Sequence, residues 1–287
     1  MLDVNSKILW LADYNLTEAY GGAQRSDQII IDQGRLLGYN ILKVTSRDTK
    51  TDLNINNYDV VISSNIHALT DKQPNLIDDL YNHPYHVRLE HDSNEYLSQE
   101  NRIKLFANCK KTIFLSDFHY SFFKKYYGDI FKNVEIIYDP IDLFKFKNKN
   151  DIREEKILYA GYLHPLKGTY EFFDFVLSNP DKNFVIVGWA SNNLLHYLST
   201  TIKNVEYLGT VNYDEMPEIY NKYKYMFYSP NLNEPFCRSI AEAVLCGMKI
   251  FTNSKDRIGC LLEIEKYGID DFREKCNKAG LKFWQSL

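Results

Sequence analysis

The sequence predicts two α/β domains, each built on a parallel sheet covered by helices and facing the other across a cleft. Short apolar runs alternate with amphipathic segments from end to end. A charged, aperiodic stretch, PIDLFKFKNKNDIREEK (140–156), divides those runs into two series. The length of 287 residues exceeds one ordinary domain and suits two of roughly 140, each large enough for its own core. The first series reads KILWLA (7–12), YNILKVT, YDVVISS, PYHVRLEH (84–91), KKTIFLS (110–116) and VEIIYD (134–139). The second reads KILYAG, NFVIVG, VEYLG, YKYMFYS and KIFTN. Helical patterns such as AQRSDQIIIDQGRLLG separate the runs, and strands so separated pack in parallel. In DDFREKCNKAGLKFWQSL, Phe272, Cys276, Ala279 and Phe283 recur at helical spacing, the stripe of a helix docked on a core. The expected boundaries are 1–145, 146–270 and a closing helix over 271–287 that can cross back to the first domain.

Composition removes several classes of function. Lys+Arg 34 against Asp+Glu 38 gives no bulk attraction to a polyanion, so nucleic acid is not an expected partner. Five scattered cysteines form no C-x-x-C pair, which argues against a disulfide framework and a zinc ribbon and for reduced thiols in the cytoplasm. The N-terminal MLDVNSKILWLADYN is too briefly apolar for a signal-peptide core, and no run approaches a membrane span. Peripheral contact with a membrane rests on FHYSFFKKYYG (118–128), whose aromatics interleave with lysines. The same stripe also reads as a helix with one buried and one solvated face.

Several chemistries lack their motifs. No G-x-G-x-x-G or G-x-x-x-x-G-K-[ST] occurs, and no Asp-x-Asp pair is present to hold a divalent metal against a diphosphate. His83, His86 and His91 cluster in HPYHVRLEH, but odd spacing puts His86 and His91 on opposite faces of a strand. Neither a metal nor a bound cofactor is expected.

Three stretches carry chemistry. In EAYGGAQRSD (18–27), Gly21 and Gly22 stand between a strand and a helix, where glycines permit positive φ and close approach to an anion at the helix N-terminus. In AGYLHPLKGTYEFF (160–173), Lys167 and Gly168 open a helix; a lysine there opposes the helix dipole unless an anion lies between. In NLNEPFCRSIAEAVLCG (231–247), Glu234 and Glu242 frame a helix start. Were that whole interval helical, the carboxylates would stand about 12 Å apart along the axis, too far to share one ligand atom. Pro235 favours a helix beginning at or after it, leaving Glu234 at the carboxyl edge of the sheet and the amides of Phe236 and Cys237 facing a phosphate.

These motifs, in this order, resemble the group 1 (family 4) glycosyltransferases, which have two Rossmann-like domains in the GT-B fold and retain anomeric configuration. YGGAQRSDQIIIDQGRLLGYN resembles their glycine-rich loop and helix, and LEHDSNEY the strand end that supplies a histidine. IFLSDFHYSFFKKYYG and IIYDPID resemble the Ser-led helix and "NPxD" turn, ILYAGYLHPLKG the "GRLxxxKG" loop, and NEPFCRSIAEAVLCGMKIFTN the E-x₇-E signature. The resemblance implies that Lys167 neutralises a donor diphosphate, Glu234 contacts sugar hydroxyls, Glu242 binds the ribose and His91 lies beside the anomeric centre. It implies that backbone at Gly21, Gly22, Gly168, Phe236 and Cys237 cradles the phosphates. Tyr162 stands where the family has an arginine, with Arg25 or Arg238 as substitutes, and Cys237 stands where glycine is common.

The implied activity is transfer of a sugar from a nucleotide sugar to a hydroxyl of a glycan, lipid carrier or other acceptor. A paired nucleophile and acid about 5 Å apart is not found, so same-face attack is expected rather than double displacement. Two alternatives share the architecture: a nucleotide-sugar epimerase, and a non-catalytic sugar-nucleotide-binding subunit.

Overall fold

The computed structural model describes residues 2–19, 21–48, 53–93, 97–149 and 152–287. Tyr20 of the glycine-rich stretch, Asn94 to Tyr96 of LEHDSNEY, and Asn150 and Asp151 lie outside the described residues. The chain forms two compact units: one comprises Met1–Pro140 with Glu274–Leu287, the other Ile141–Arg273.

Every run read as a strand forms one. In the first unit they are β1 (Lys7–Ala12), β2 (Asn40–Thr45), β3 (Val60–Ser63), β4 (His86–Leu89), β5 (Lys111–Phe114) and β6 (Val134–Ile136). They make one sheet in the order β2-β1-β3-β4-β5-β6, with every pair parallel. Leu9 stands opposite Leu42 on one side and Val61 on the other, and Ile8 to Leu11 are fully buried, as a central strand covered on both faces requires. The helix Gly22–Leu36 links β1 to β2. Its Gly34 lets the closing helix approach, because a Cβ there would lie 2.4 Å from ring carbons of Trp284. That closing helix, Ile269–Ser286, starts in the second unit and joins the first from Glu274 onward. All four stripe residues, Phe272, Cys276, Ala279 and Phe283, are buried, and the Trp284 indole donates to the Ile30 carbonyl at 2.7 Å.

FHYSFFKKYYG forms the helix Asp117–Tyr127. Phe123 packs inward with Phe106 and Phe114, ringed by Tyr120, Phe122, Tyr127 and Phe131, so most of the aromatic stripe is core. Tyr126, Lys124 and Lys125 remain exposed.

The second unit contains β7 (Glu154–Ala160), β8 (Phe184–Val187), β9 (Val205–Gly209), β10 (Tyr223–Phe227) and β11 (Lys249–Phe251). Their order is β11-β10-β7-β8-β9, again all parallel. The chain proceeds from β7 outward to β8 and β9, then returns to the other side of β7 as β10. The carboxyl ends of β7 and β10 therefore form a topological switch point, where open α/β sheets bind ligands. The described residues of the charged stretch before β7 are tied down more than its aperiodicity suggests. Phe146 is buried, the Asn221 amide holds the Lys147 carbonyl and Lys149 N–H, and Arg153 donates to the Tyr220 carbonyl at 2.8 Å. Side-chain-to-backbone bonds hold Lys147, Lys149 and Arg153 without leaving a hydrophobic period to read.

Candidate active site

At the switch point of the second unit, two loops meet. The loop after β7 makes a 3-10 turn, Pro165–Lys167, and reaches Gly168 in the left-handed region at φ 76°, the cap of the helix Thr169–Leu177. A Cβ on Gly168 would lie 1.9 Å from the carbonyl oxygen of Ser229, so only glycine lets the two loops touch. Asn231 ties them further: its N–H donates to the Leu166 carbonyl at 3.0 Å and its side chain to Glu171 at 2.6 Å.

This closure brings Lys167 Nζ to 2.6 Å from Glu234 Oε1. The Tyr228 hydroxyl donates to the same oxygen. Glu234 Oε2 has no hydrogen-bond partner among the described residues. The Glu234 backbone is also fixed, its N–H donating to the Arg257 carbonyl at 2.8 Å and its carbonyl accepting from Gly259 N–H at 2.9 Å. Glu234 is 7% exposed, whereas the Lys167 side chain is 34% exposed. Lys167 and Glu234, which the sequence places at separate parts of a ligand, are thus direct partners. The arrangement is a buried carboxylate held by two donors beside a partly exposed ammonium. It can offer Oε2 to a hydroxyl while the ammonium turns to an incoming anion.

The second glutamate sits in the helix Arg238–Leu245. Glu242 Oε1 accepts from the Tyr213 hydroxyl at 2.6 Å and from Arg238 Nε at 2.8 Å. Burial and then the Glu242 charge raise the Tyr213 hydroxyl above its ordinary range, so Tyr213 stays a neutral donor. Arg238, one candidate to replace the missing arginine, spends its Nε on Glu242 inside the protein. Cys237 precedes the helix at φ 69° and ψ 74°, the one non-glycine residue at positive φ among the described residues. A left-handed residue at this position accounts for glycine being suited to it. Burial, and next the Glu234 charge, push the Cys237 thiol up to about 12. The Phe236 ring is buried and stacks on Phe272, so that residue can offer a ligand only its backbone.

Tyr162 is not arranged as a cation substitute. Its ring stacks on Trp189 with centroids 4.1 Å apart and on His164 at 5.3 Å.

Residues 140–267 match the family described as glycosyl transferases group 1. That span contains Lys167, Glu234 and Glu242. The match covers most of the second unit. No curated protein matches the chain. Among solved structures it is similar to Anabaena HepE in complex with UDP and glucose, at 19% identity and a TM-score of 0.66 over 91% of this chain and 83% of that one. It is similar also to AviGT4, a glycosyltransferase involved in avilamycin A biosynthesis, at 15% identity and a TM-score of 0.62 over 97% and 93% of the two chains. Sucrose-phosphate synthase from Thermosynechococcus elongatus shares 11% identity at a TM-score of 0.70 over 99% and 95%. The chain has the GT-B fold.

The first unit holds the remaining sequence-derived residues. Gly21 caps the helix Gly22–Leu36 in extended conformation, φ −93°, and neither Gly21 nor Gly22 has positive φ. The expected left-handed turn is absent because Gly21 is an ordinary extended cap and Gly22 is already helical. His91 lies just beyond β4, 5% exposed, with Nε2 at 2.9 Å from Asp27 Oδ1. Ser64 Oγ donates to that same Asp27 oxygen at 3.1 Å. Burial works to lower the His91 pKa, but the hydrogen bond and charge of Asp27, with the charges of Asp139 and Asp92, raise it on balance. The other two histidines of HPYHVRLEH face elsewhere. His86 Nε2 meets Ser63 Oγ at 2.7 Å and His83 Nε2 meets the Tyr58 carbonyl at 3.1 Å. Burial, then Arg88, lowers the His86 pKa to about 3, so it is neutral.

Sequence reasoning missed Asp27, Tyr213 and Tyr228, the side chains bonded to His91, Glu242 and Glu234. Asp27 carried a usable signal: it shares a helical stripe with the buried Ile30, Ile31 and Gly34, and an acid on an apolar stripe needs a partner.

Proposed function

We propose that the protein moves a sugar from a nucleoside diphosphate to an acceptor hydroxyl, with retention of anomeric configuration and without a metal ion. The observation that carries the reading is the contact of Lys167 with Glu234 at the switch point of a sheet inside the matched span. In this proposal Lys167 turns from Glu234 to the departing diphosphate, assisted by the first amides of the helix Arg238–Leu245, which α-helices leave without intrahelical partners. Glu234 holds sugar hydroxyls through Oε2, and Glu242 takes the ribose. His91 serves the donor sugar, as the resemblance implies. Glu234's side-chain partners are an amine and a phenol rather than a second carboxylate, which supports same-face attack over double displacement. HepE has been solved with UDP-glucose, which supports a nucleotide sugar as donor. All five cysteines are buried and unbridged, in keeping with a reducing compartment, and we assign the protein to the cytoplasm. No helix among the described residues is long and apolar enough to cross a membrane. The acceptor is a hydroxyl of a glycan, a lipid carrier or another molecule.

The test is nucleoside diphosphate release from a panel of nucleotide sugars with and without acceptors, in wild type and Lys167→Ala. Transfer lost in the variant, with its circular dichroism unchanged, supports the scheme, and near-normal turnover sinks it. A new nucleotide sugar formed without acceptor identifies an epimerase, and binding without turnover identifies a non-catalytic subunit.

A further inference from the structure

We propose that Tyr228 is a positioning residue for the transfer: its hydroxyl holds Glu234 in place while Lys167 leaves for the diphosphate. The assignment rests on the proposed roles of Lys167 and Glu234. Both donors meet one oxygen, Glu234 Oε1, which accepts from Lys167 Nζ at 2.6 Å and from the Tyr228 hydroxyl. They are the side-chain donors to Glu234 among the described residues, and they differ in freedom. The Lys167 side chain is 34% exposed on a flexible stem, whereas Tyr228 is a rigid ring, 4% exposed.

Neighbouring structure fixes the tyrosine and the glutamate to each other. Tyr228 directly follows β10, and its N–H donates to the Phe251 carbonyl of β11 at 3.0 Å. Its ring lies beside Tyr159, with centroids 6.5 Å apart. Glu234 is held by a parallel bridge to Ile258, its N–H on the Arg257 carbonyl and its carbonyl on the Gly259 N–H. Burial and then the Glu234 charge raise the Tyr228 hydroxyl well above its ordinary range, so it stays a neutral donor. Phosphates attract an ammonium more strongly than a neutral phenol, so an incoming diphosphate draws Lys167 away and leaves Tyr228 where it is.

A buried carboxylate stripped of every donor bears the full cost of desolvation, and one that keeps a good donor does not. With Tyr228 present, Lys167 can exchange Glu234 for a phosphate while the carboxylate keeps a partner. Without the hydroxyl, Lys167 is the remaining side-chain donor to a buried charge, and the diphosphate must break a bond that nothing replaces. Loss of the hydroxyl therefore weakens diphosphate binding through the Glu234 charge alone. A tyrosine that merely packs the loop, its hydroxyl satisfied by the nearest acceptor, would act on the site whether or not residue 234 carried a charge.

Calorimetric titration of the full-length protein with UDP, GDP, ADP, CDP and TDP finds the nucleoside diphosphate that binds, and variants are then compared with it. Tyr228→Phe should bind it about 10-fold more weakly. Glu234→Gln removes the charge that needs a donor, so in that background Tyr228→Phe should change affinity by less than about 2-fold. In a crystal of the wild-type complex, the Tyr228 hydroxyl should still reach Glu234 after Lys167 has moved. Equal weakening in the two backgrounds, no weakening in either, or a Tyr228 hydroxyl parted from Glu234 in the complex overturns the positioning role. Lys167→Ala reports the donor reading separately, because it should weaken binding whatever Tyr228 does. Affinity unchanged in Lys167→Ala, or no nucleotide bound by wild type, overturns that reading and the role of Tyr228 with it.

Discussion

Replacing Asp27 by Asn tests whether the buried Asp27–His91 contact is an ion pair. Both side chains are nearly inaccessible, at 2% and 3% exposure, so solvent screens their interaction little. A hydrogen bond to a charged group contributes about 1.5–3 kcal/mol, and a neutral one about 1 kcal/mol. Because the folded His91 pKa is raised, the charged form's contribution is complete below the unfolded histidine pKa, near 6.5, and fades as pH rises through the folded value. Asp27→Asn should therefore cost the first unit about 1.5–3 kcal/mol at pH 5.5, and less as pH rises to 9. The residual effect of Asp139 and Asp92, which also raise His91, remains in both proteins. Trp10 and Trp284 are buried in the first unit, so in a Trp189→Phe background urea unfolding followed by fluorescence reports that unit alone. NMR titration of the His91 imidazole should show its pKa fall in the variant. An equal cost at the two pH values, or a larger one at pH 9, would refute the ion pair.

Other outcomes follow from backbone and burial. Gly168→Ala places a methyl against the Ser229 carbonyl at a left-handed position. It should lower the second unit's stability by about 2–4 kcal/mol in urea melts and separate Lys167 from Glu234, and a loss under 0.5 kcal/mol would contradict the loop closure. Cys237→Gly relieves the positive φ at the cost of a freer unfolded chain and a lost thiol, so stability should stay within about 1 kcal/mol of wild type. Burial pushes Cys109, Cys237 and Cys246 up to about 12, and all five thiols are buried. At pH 7.5 the folded protein should react with a thiol reagent in minutes at none of the five, and in guanidinium at all five; rapid labelling when folded would count against the packing.

The strands were legible because each is a short apolar run between turn residues, and the closing helix because its stripe keeps strict helical spacing. The loops after β7 and β10 were legible in content but not in geometry. Lys167 and Glu234 stand out as residues, yet their contact depends on Gly168 passing the Ser229 carbonyl, which no local pattern encodes. Tyr213 and Tyr228 were hidden for a different reason. The chain has 22 tyrosines, and only the tertiary fold selects the two that donate to the glutamates. Cys237 could be read as an odd occupant of a glycine position, but its left-handed backbone emerges only where the loop turns into the helix. The glycine pair misled in the opposite sense: Gly21 and Gly22 suggest positive φ, and the chain uses them as cap and first helical residue instead.

The central claim is that the switch point of the second unit holds the diphosphate of a sugar donor. A crystal structure with the nucleoside diphosphate that binds most tightly tests it most directly. Phosphate oxygens are expected within hydrogen-bonding distance of Lys167 Nζ, displaced from Glu234, and the ribose against Glu242. A nucleotide bound away from Lys167, with the Lys167–Glu234 contact intact, would contradict it.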